Sequence, residues 1–422
     1  MKNNKKILLL VMTLILLVAM PLVATSIYDS STDLYKQTAE PFEGTSVRSM
    51  GMGGAGIGIT GYYDSFLLNP ANLGAGNLKI SLPAVTLTVF NPNAILKSGA
   101  IDDLQSGDEN ATISAAQKFL GTIGTDYGDV MTTDLSMVLG LGSFGFGLQA
   151  QERLMSYKTG ADTTSTNLIA QVTVAATAGL GFRIQAIPEY LSIDLGVSGK
   201  FIYKMFLQAQ SASTITDMLA DDNADPADTY LNGTPIVAGY AFPVDFGVNL
   251  NMPLGFTASA VLKNYNGAYS MSTYQSINNW SEEVLGSAIA GETADSSSFT
   301  SEDFTIDAGW QLNAGLTWAP KIGSLLKPIF AFDVVDITSL ADLSGDELKT
   351  GIYENARLGA SLRILSIVDL RYGLRSGYQS FGVGLDLLIF HLDAAYYIQE
   401  YGAQLGDKPI DAVSLRFSLL SR

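Results

Sequence analysis

The chain of 422 residues has no cysteine and a single histidine, His391. The first absence excludes a disulfide framework, thiol catalysis, thiolate-bound metal and a lipid-modified N-terminal cysteine. The second leaves one imidazole with no Gly-x-Ser-x-Gly elbow anywhere to supply a nucleophile. No catalytic residue, metal site or cofactor is expected, and the chain does not read as an enzyme. Basic residues are also scarce. Lys and Arg number 24 against 41 Asp and Glu, a net charge of -17. Without a basic patch, nucleic acid is not an expected partner. Beyond residue 24, no apolar run approaches the roughly 20 residues of a membrane-spanning helix.

What is present points to a membrane all the same. Lys2, Lys5 and Lys6 precede an apolar run at residues 7–20, and small residues follow at Ala24, Thr25 and Ser26. That order is an export signal, expected to span 1–24. Its removal takes the net charge from -17 to -20. There are 42 Gly, 19 Tyr and 19 Phe, and 47% of residues are apolar. Such a composition suits curved strands and aromatic girdles.

From residue 78 onward, apolar and polar residues alternate in runs of about ten, the length a tilted strand needs to cross a bilayer. The expected strands are 78–90, 131–141, 144–154, 166–182, 190–206, 236–251, 255–264, 304–318, 326–336, 355–365, 367–376, 379–389, 390–400 and 410–420. The gaps between them sort by length. Nearly every second one is short, and the others are mostly long. Short periplasmic turns and long outer loops produce that pattern in an up-and-down barrel. The expected fold is therefore all-β: a 14-stranded antiparallel transmembrane β-barrel in the bacterial outer membrane, spanning 78–422, with outer-membrane lipid as a partner. In 304–318, Phe304, Ile306, Ala308, Trp310, Leu312, Ala314, Leu316 and Trp318 fall on one face. Alternation does not say which face is outside. Whether 379–389 continues from 367–376 as a hairpin or through a bulge is also open.

Residues 25–77 do not alternate. They hold Gly51, Gly53, Gly54, Gly56 and Gly58, then Asn69, Pro70 and Ala71. No Lys-Ser/Thr pair follows the glycines, so they do not make a phosphate loop. They read as a closely packed backbone able to fit a confined lumen. The stretches Arg48-Ser-Met-Gly-Met-Gly-Gly-Ala-Gly56 and Asn69-Pro-Ala-Asn-Leu73 resemble the start of the long-chain fatty-acid transporter (FadL-like) superfamily of outer-membrane proteins. Residues 330–336, 370–377 and 392–402 resemble its PorV-like, TraF-like and uncharacterised spirochaetal relatives. The resemblance implies that 25–77 form a hatch, or plug, inside a fourteen-stranded barrel. It also implies passive uptake of long-chain fatty acids or other hydrophobic small molecules. The PorV-like relatives imply an alternative, a scaffold barrel anchoring surface or secreted proteins. One departure concerns the C-terminus: such barrels usually finish on an aromatic residue, whereas here Arg422 is last and Phe417 is the nearest aromatic.

Two groups of residues are candidates for ligand contact. If the apolar faces point outward, Arg357, Arg363, Arg371 and Arg375 face the lumen with Asp369, Asp386, Asp393 and Arg416. An arginine fork suits a carboxylate head group; a salt-bridge ladder across the lumen explains the same residues. In the outer loops, Phe119, Leu120 and Ile123, and Met218 and Leu219, recur at helical spacing. They either form an apolar groove that catches a ligand or cover the barrel that carries them. Acidic loop residues such as Asp221, Asp222 and Asp225 lack the spacing of a calcium loop and read as solvated surface.

Overall fold

The computed structural model describes residues 41–419 apart from 43, 77, 107–108, 124–127, 158–166, 208–209, 212–230, 233–234, 290–298, 324, 388 and 403. The expected export signal and the loop residues Met218 and Leu219 lie outside the described residues.

Among the described residues, fourteen antiparallel strands form a closed barrel. They are β1 (Leu78–Phe90), β2 (Gly128–Leu141), β3 (Phe144–Tyr157), β4 (Asn167–Ile187) and β5 (Leu191–Leu207). β6 (Ile236–Ala241 and Val244–Asn251), β7 (Phe256–Tyr265 and Tyr269–Tyr274) and β8 (Asp303–Ile306 and Gln311–Trp318) each come in two pieces. β9 (Leu326–Val334), β10 (Ala356–Ile364), β11 (Val368–Arg375), β12 (Tyr378–Leu387), β13 (Phe390–Glu400) and β14 (Pro409–Ser418) complete the wall. Closure is made by β1, which pairs with β2 on one side and with β14 on the other, from Ala84↔Ser418 to Phe90↔Ala412. A closed sheet leaves no edge to satisfy in hydrocarbon. β11 and β12 form a tight hairpin: Arg375 pairs with Tyr378, and the two turn residues, Ser376 and Gly377, both have positive φ. That is the two-residue turn whose twist matches antiparallel strands.

Burial settles the direction of the alternation. On β14, Leu415 and Phe417 are exposed while Ser414, Arg416 and Ser418 are buried; on β2, Leu135 and Met137 are exposed while Thr132 and Asp134 are buried. Apolar side chains face out and polar ones face in, the arrangement that lipid outside and a polar lumen demand. Phe256, Trp318 and Phe330 stack in series at the short-turn end, at 5.7 and 5.5 Å between centroids. This is one arc of a girdle at the membrane surface. The protein is an outer-membrane-type barrel.

One expectation is overturned. The run 304–318 is not a single strand with a single face. Between the pairs Lys263↔Gln311 and Tyr269↔Ile306 the β7–β8 ladder stops, leaving 264–268 and 307–310 without partners in that ladder. Across this gap the apolar face changes sides. Trp310, Leu316 and Trp318 point outward and are exposed, whereas Phe304, Ile306 and Ala308 pack inward in an apolar cluster. The side-chain period of a strand is two, so an irregular stretch can send everything beyond it to the opposite face. β6 is interrupted alongside, at Phe242-Pro243.

Residues 44–76, apart from what is not described, pack inside the barrel. Wall glycines make room for them. A Cβ on Gly196 would lie 2.2 Å from Pro70, on Gly247 1.9 Å from Asn69, and on Gly373 2.1 Å from Gly53. The segment is tied by its polar groups. Asp333 accepts from the amides of Gly56 and Ile57, at 2.6 and 3.0 Å. Asn69 donates to Asn249 at 3.0 Å, and Asn249 donates to Asn72 at 2.9 Å. Asn69 also caps the short helix Pro70–Ala75 through the Ala71 amide. A buried backbone without regular structure needs such partners for its amides and carbonyls.

Candidate ligand site in the lumen

The lumen-facing charges divide into two groups. In the first, Arg371 donates to Asp393 at 2.6 Å and to Asp369 at 3.0 Å, and His391 lies 2.9 Å from Asp393. Arg416 stands 3.8 Å from the same carboxylate and 3.7 Å over the Tyr63 ring. Arg363 pairs with Asp386 at 2.7 Å. Arg48 of the lumen segment pairs with Asp64 at 3.0 Å and lies 4.6 Å from the Tyr62 ring centre. Burial pushes the Tyr62 and Tyr63 phenols above their ordinary range, so both present neutral rings to these cations. This half of the lumen is filled. Each cation is spent on carboxylates or rings, as buried charge requires. Arg363 and Arg371 are therefore ladder residues, not exposed forks.

Arg357 and Arg375 differ. They are direct cross-strand partners on β10 and β11. Like charges opposite one another repel. Arg357 donates only to neutral oxygens, the carbonyls of Glu354 (2.6 Å) and Ala356 (3.0 Å) and the Ser376 hydroxyl (3.4 Å). Among the described residues, neither arginine has a carboxylate within ion-pair distance. Both border a cavity of about 430 Å³ on the outer side of the lumen segment. Ser49, Gly54 and Ile57 contribute to its lining from the segment, and Arg153, Lys204, Lys263, Gln311 and Asn313 from the wall. Arg153 is held by Asp129 at 2.5 Å.

Beside this cavity the interior becomes apolar. Phe42, which also lines the cavity, clusters with Met155, Ile169, Ile202, Phe206, Val237, Tyr269, Met271 and Ile306. Lys204 bridges the two regions, with its Nζ 4.5 Å from the Tyr269 ring centre. Sequence reading missed this cluster because Tyr269 and Met271 lie beyond the expected strand 255–264, and because Ile306 and Ala308 turn inward only across the interruption of β8. It also missed Lys204, Lys263 and Asp333, whose inward direction depends on register.

The loop candidates among the described residues do not stand over the mouth. Phe119, Leu120 and Ile123 pack on Val130, Leu154 and Leu168. Leu154 alternates with the cavity-lining Gln151 and Arg153, so this contact is on the outside of the wall.

Fourteen strands surround an N-terminal segment that carries Asn-Pro-Ala. No family model matches the chain, and no curated protein does. Among solved structures it is similar to the toluene transporter TbuX of Ralstonia pickettii, at 13% identity and a TM-score of 0.44, covering 90% of this chain and 99% of that one. It is also similar to the toluene transporter TodX of Pseudomonas putida (12%, 0.42, 89% and 97%). A Pseudomonas aeruginosa FadL homologue gives 11%, 0.42, 89% and 98%. At these values the comparisons describe overall course alone.

Proposed function

We propose that this barrel takes up hydrophobic small molecules carrying an anionic head, long-chain fatty acids among them, across the outer membrane. The observation that carries the reading is the juxtaposition in the outer half of the lumen. An apolar cluster adjoins a cavity, lined also by Asp336, in which Arg357 and Arg375 stand side by side and neither makes an ion pair. A carboxylate placed between the two arginines relieves their repulsion and receives charge-assisted hydrogen bonds. The chain of the ligand then lies against Phe42, Tyr269 and Met271. The glycine-rich segment with Asn69 and Pro70 acts as the hatch below it.

The interruption of β7 and β8 supplies a way out through the wall. Asn264 closes it, donating to the carbonyls of Ala308 and of Gly309, the latter at 3.2 Å. Outside lies a depression bordered by Asn266, Gly267, Asp307 and Trp310. The scaffold reading draws on the other half of the lumen, which ion pairs fill.

The test is accumulation of a labelled long-chain fatty acid by bacterial cells that lack their own uptake protein and express this barrel. Uptake that falls about tenfold in Arg357→Ala and Arg375→Ala, at unchanged barrel levels, supports the reading. No uptake above the empty host, together with surface proteins that co-purify with the barrel, favours the scaffold.

A further inference from the structure

Outward-facing apolar residues are not treated alike along the strands. On β6, Tyr240 is 46% exposed and Ile236 is 0% exposed; on β5 the values are 41% for Phe201 and 4% for Leu207. The change marks where lipid gives way to protein. On these strands the cover is the helix Ile277–Leu285, in the outer loop after β7. Ser276 caps it by accepting from the Asn279 amide, and Gly286 ends it in the left-handed conformation. Ile277 packs on Ala170, Leu207 and Ile236, with Trp280 against the same cluster. The Trp280 indole donates to the Tyr203 hydroxyl at 2.6 Å.

The helix is longer than the wall beneath it. At 100° per residue, Ile277, Trp280, Ser281, Val284 and Leu285 share one side, with Asn279, Glu282 and Glu283 opposite. The first three of the apolar side are covered to differing degrees by the wall, yet Val284 and Leu285 on the same side are exposed, as is Ile289 just beyond. The second half of the apolar face thus overhangs. Just below it is a patch of exposed aromatics. Tyr240, the register partner of Tyr203, lies 5.6 Å from Phe242, and Phe242 lies 5.2 Å from Phe201. Aromatic girdles mark the interfaces of such barrels, and the amphipathic Tyr240 is the kind of ring that sits at head-group level. The height agrees. From the short-turn girdle at Phe256 to Tyr265 on the same strand is about 23 Å at ordinary strand rise and tilt, close to the ~25 Å apolar band of such barrels.

We propose that the Ile277–Leu285 helix lies in the outer interface of the membrane, with Val284, Leu285 and Ile289 dipping into the boundary between head groups and lipid chains. Its occupant is lipid because the overhanging face continues the lipid-facing wall and its aromatic girdle, and its acidic side is turned away. The helix is an interfacial element, not a surface loop in water. A consequence follows for the wall. The interruption at 264–268 and 307–310 then sits just under the leaflet surface, where it meets lipid.

The absence of cysteine makes the test direct. Leu285→Cys and Glu282→Cys each give the full chain one site for a nitroxide label. The labelled barrels are placed in phosphatidylcholine vesicles, and their fold is checked by heat-modifiable mobility on gels. Collisions with oxygen and with a water-soluble nickel chelate are then compared by power-saturation spectroscopy. The proposal expects oxygen to dominate at position 285 and the chelate at position 282. Chelate access at 285 equal to that at 282 overturns it. So does a label at 285 shielded from both, which would mean cover by residues 290–298 or by another protein. Val284→Cys repeats the test if Leu285→Cys fails to fold.

Discussion

Arg357 and Arg371 occupy neighbouring strands and both face the lumen, but their partners separate their roles. Arg371 is locked between Asp369 and Asp393. Arg371→Ala leaves two buried carboxylates short of a partner, and the expected loss is about 3–5 kcal/mol in a urea unfolding measurement in lipid. Arg357→Ala removes a cation that repels Arg375 and makes no ion pair, its cross-strand neighbour Asp333 being held by the Gly56 and Ile57 amides, so stability is expected to change little while ligand binding falls. Equal losses of stability in the two variants would contradict this division. Gly53 gives a second prediction at this scale. Its φ is +69°, and a Cβ there would meet the Leu374 amide and carbonyl at 2.7 Å. Gly53→Ala is expected to cost about 1–2 kcal/mol from backbone conformation alone, with the clash in addition, read in the same unfolding assay. The sequence made all four arginines, 357, 363, 371 and 375, equal candidates, since alternation places each of them inward. Which of them has a carboxylate partner depends on how side chains reach along and across the strands β10 to β13, and alternation along one strand does not contain that.

At the scale of the element, the strands were legible because period-two alternation and turn residues are local signals. The expected range 78–90 matches β1 and 390–400 matches β13 residue for residue. The interruption of β6, β7 and β8 was not legible. Phe304, Ile306 and Ala308 keep perfect step with Leu312 and Leu316 in the sequence, and only the unpaired stretch at 307–310 turns them inward. The Gly345–Asn355 helix was also missed, lacking a strong apolar stripe. The interruption has a testable consequence. Asn264→Ala removes the side chain that bridges the gap to Ala308 and Gly309. Release of a fluorescent fatty acid from the barrel into surrounding lipid vesicles is expected to quicken, while the strands remain closed elsewhere. An unchanged rate would mean that the gap is not the exit.

On the scale of the whole molecule, the barrel carries apolar surface in two places. Outside, it faces lipid, as the pattern of ten-residue runs implied. Inside, an apolar cluster sits beside a cavity in the outer half, and elsewhere the lumen segment packs against the wall through ion pairs and buried hydrogen bonds. A wide aqueous pore is incompatible with that interior. Single-channel recording in planar bilayers is expected to show no steady open conductance, and a stable open level would contradict the filled lumen. The class of barrel was legible from composition, alternation and loop lengths together. The arginine pair on which the proposed cargo rests was not, because Arg357 and Arg375 are brought together by register.

The most direct measurement is of what the barrel holds. The protein is purified gently in detergent, its hydrophobic molecules are extracted, and they are identified by mass spectrometry beside the Arg357→Ala, Arg375→Ala double variant. The account predicts about one amphipathic anion per barrel, a fatty acid or a close relative, lost from the variant. An empty wild-type barrel, or the same molecule retained when both arginines are gone, would contradict it.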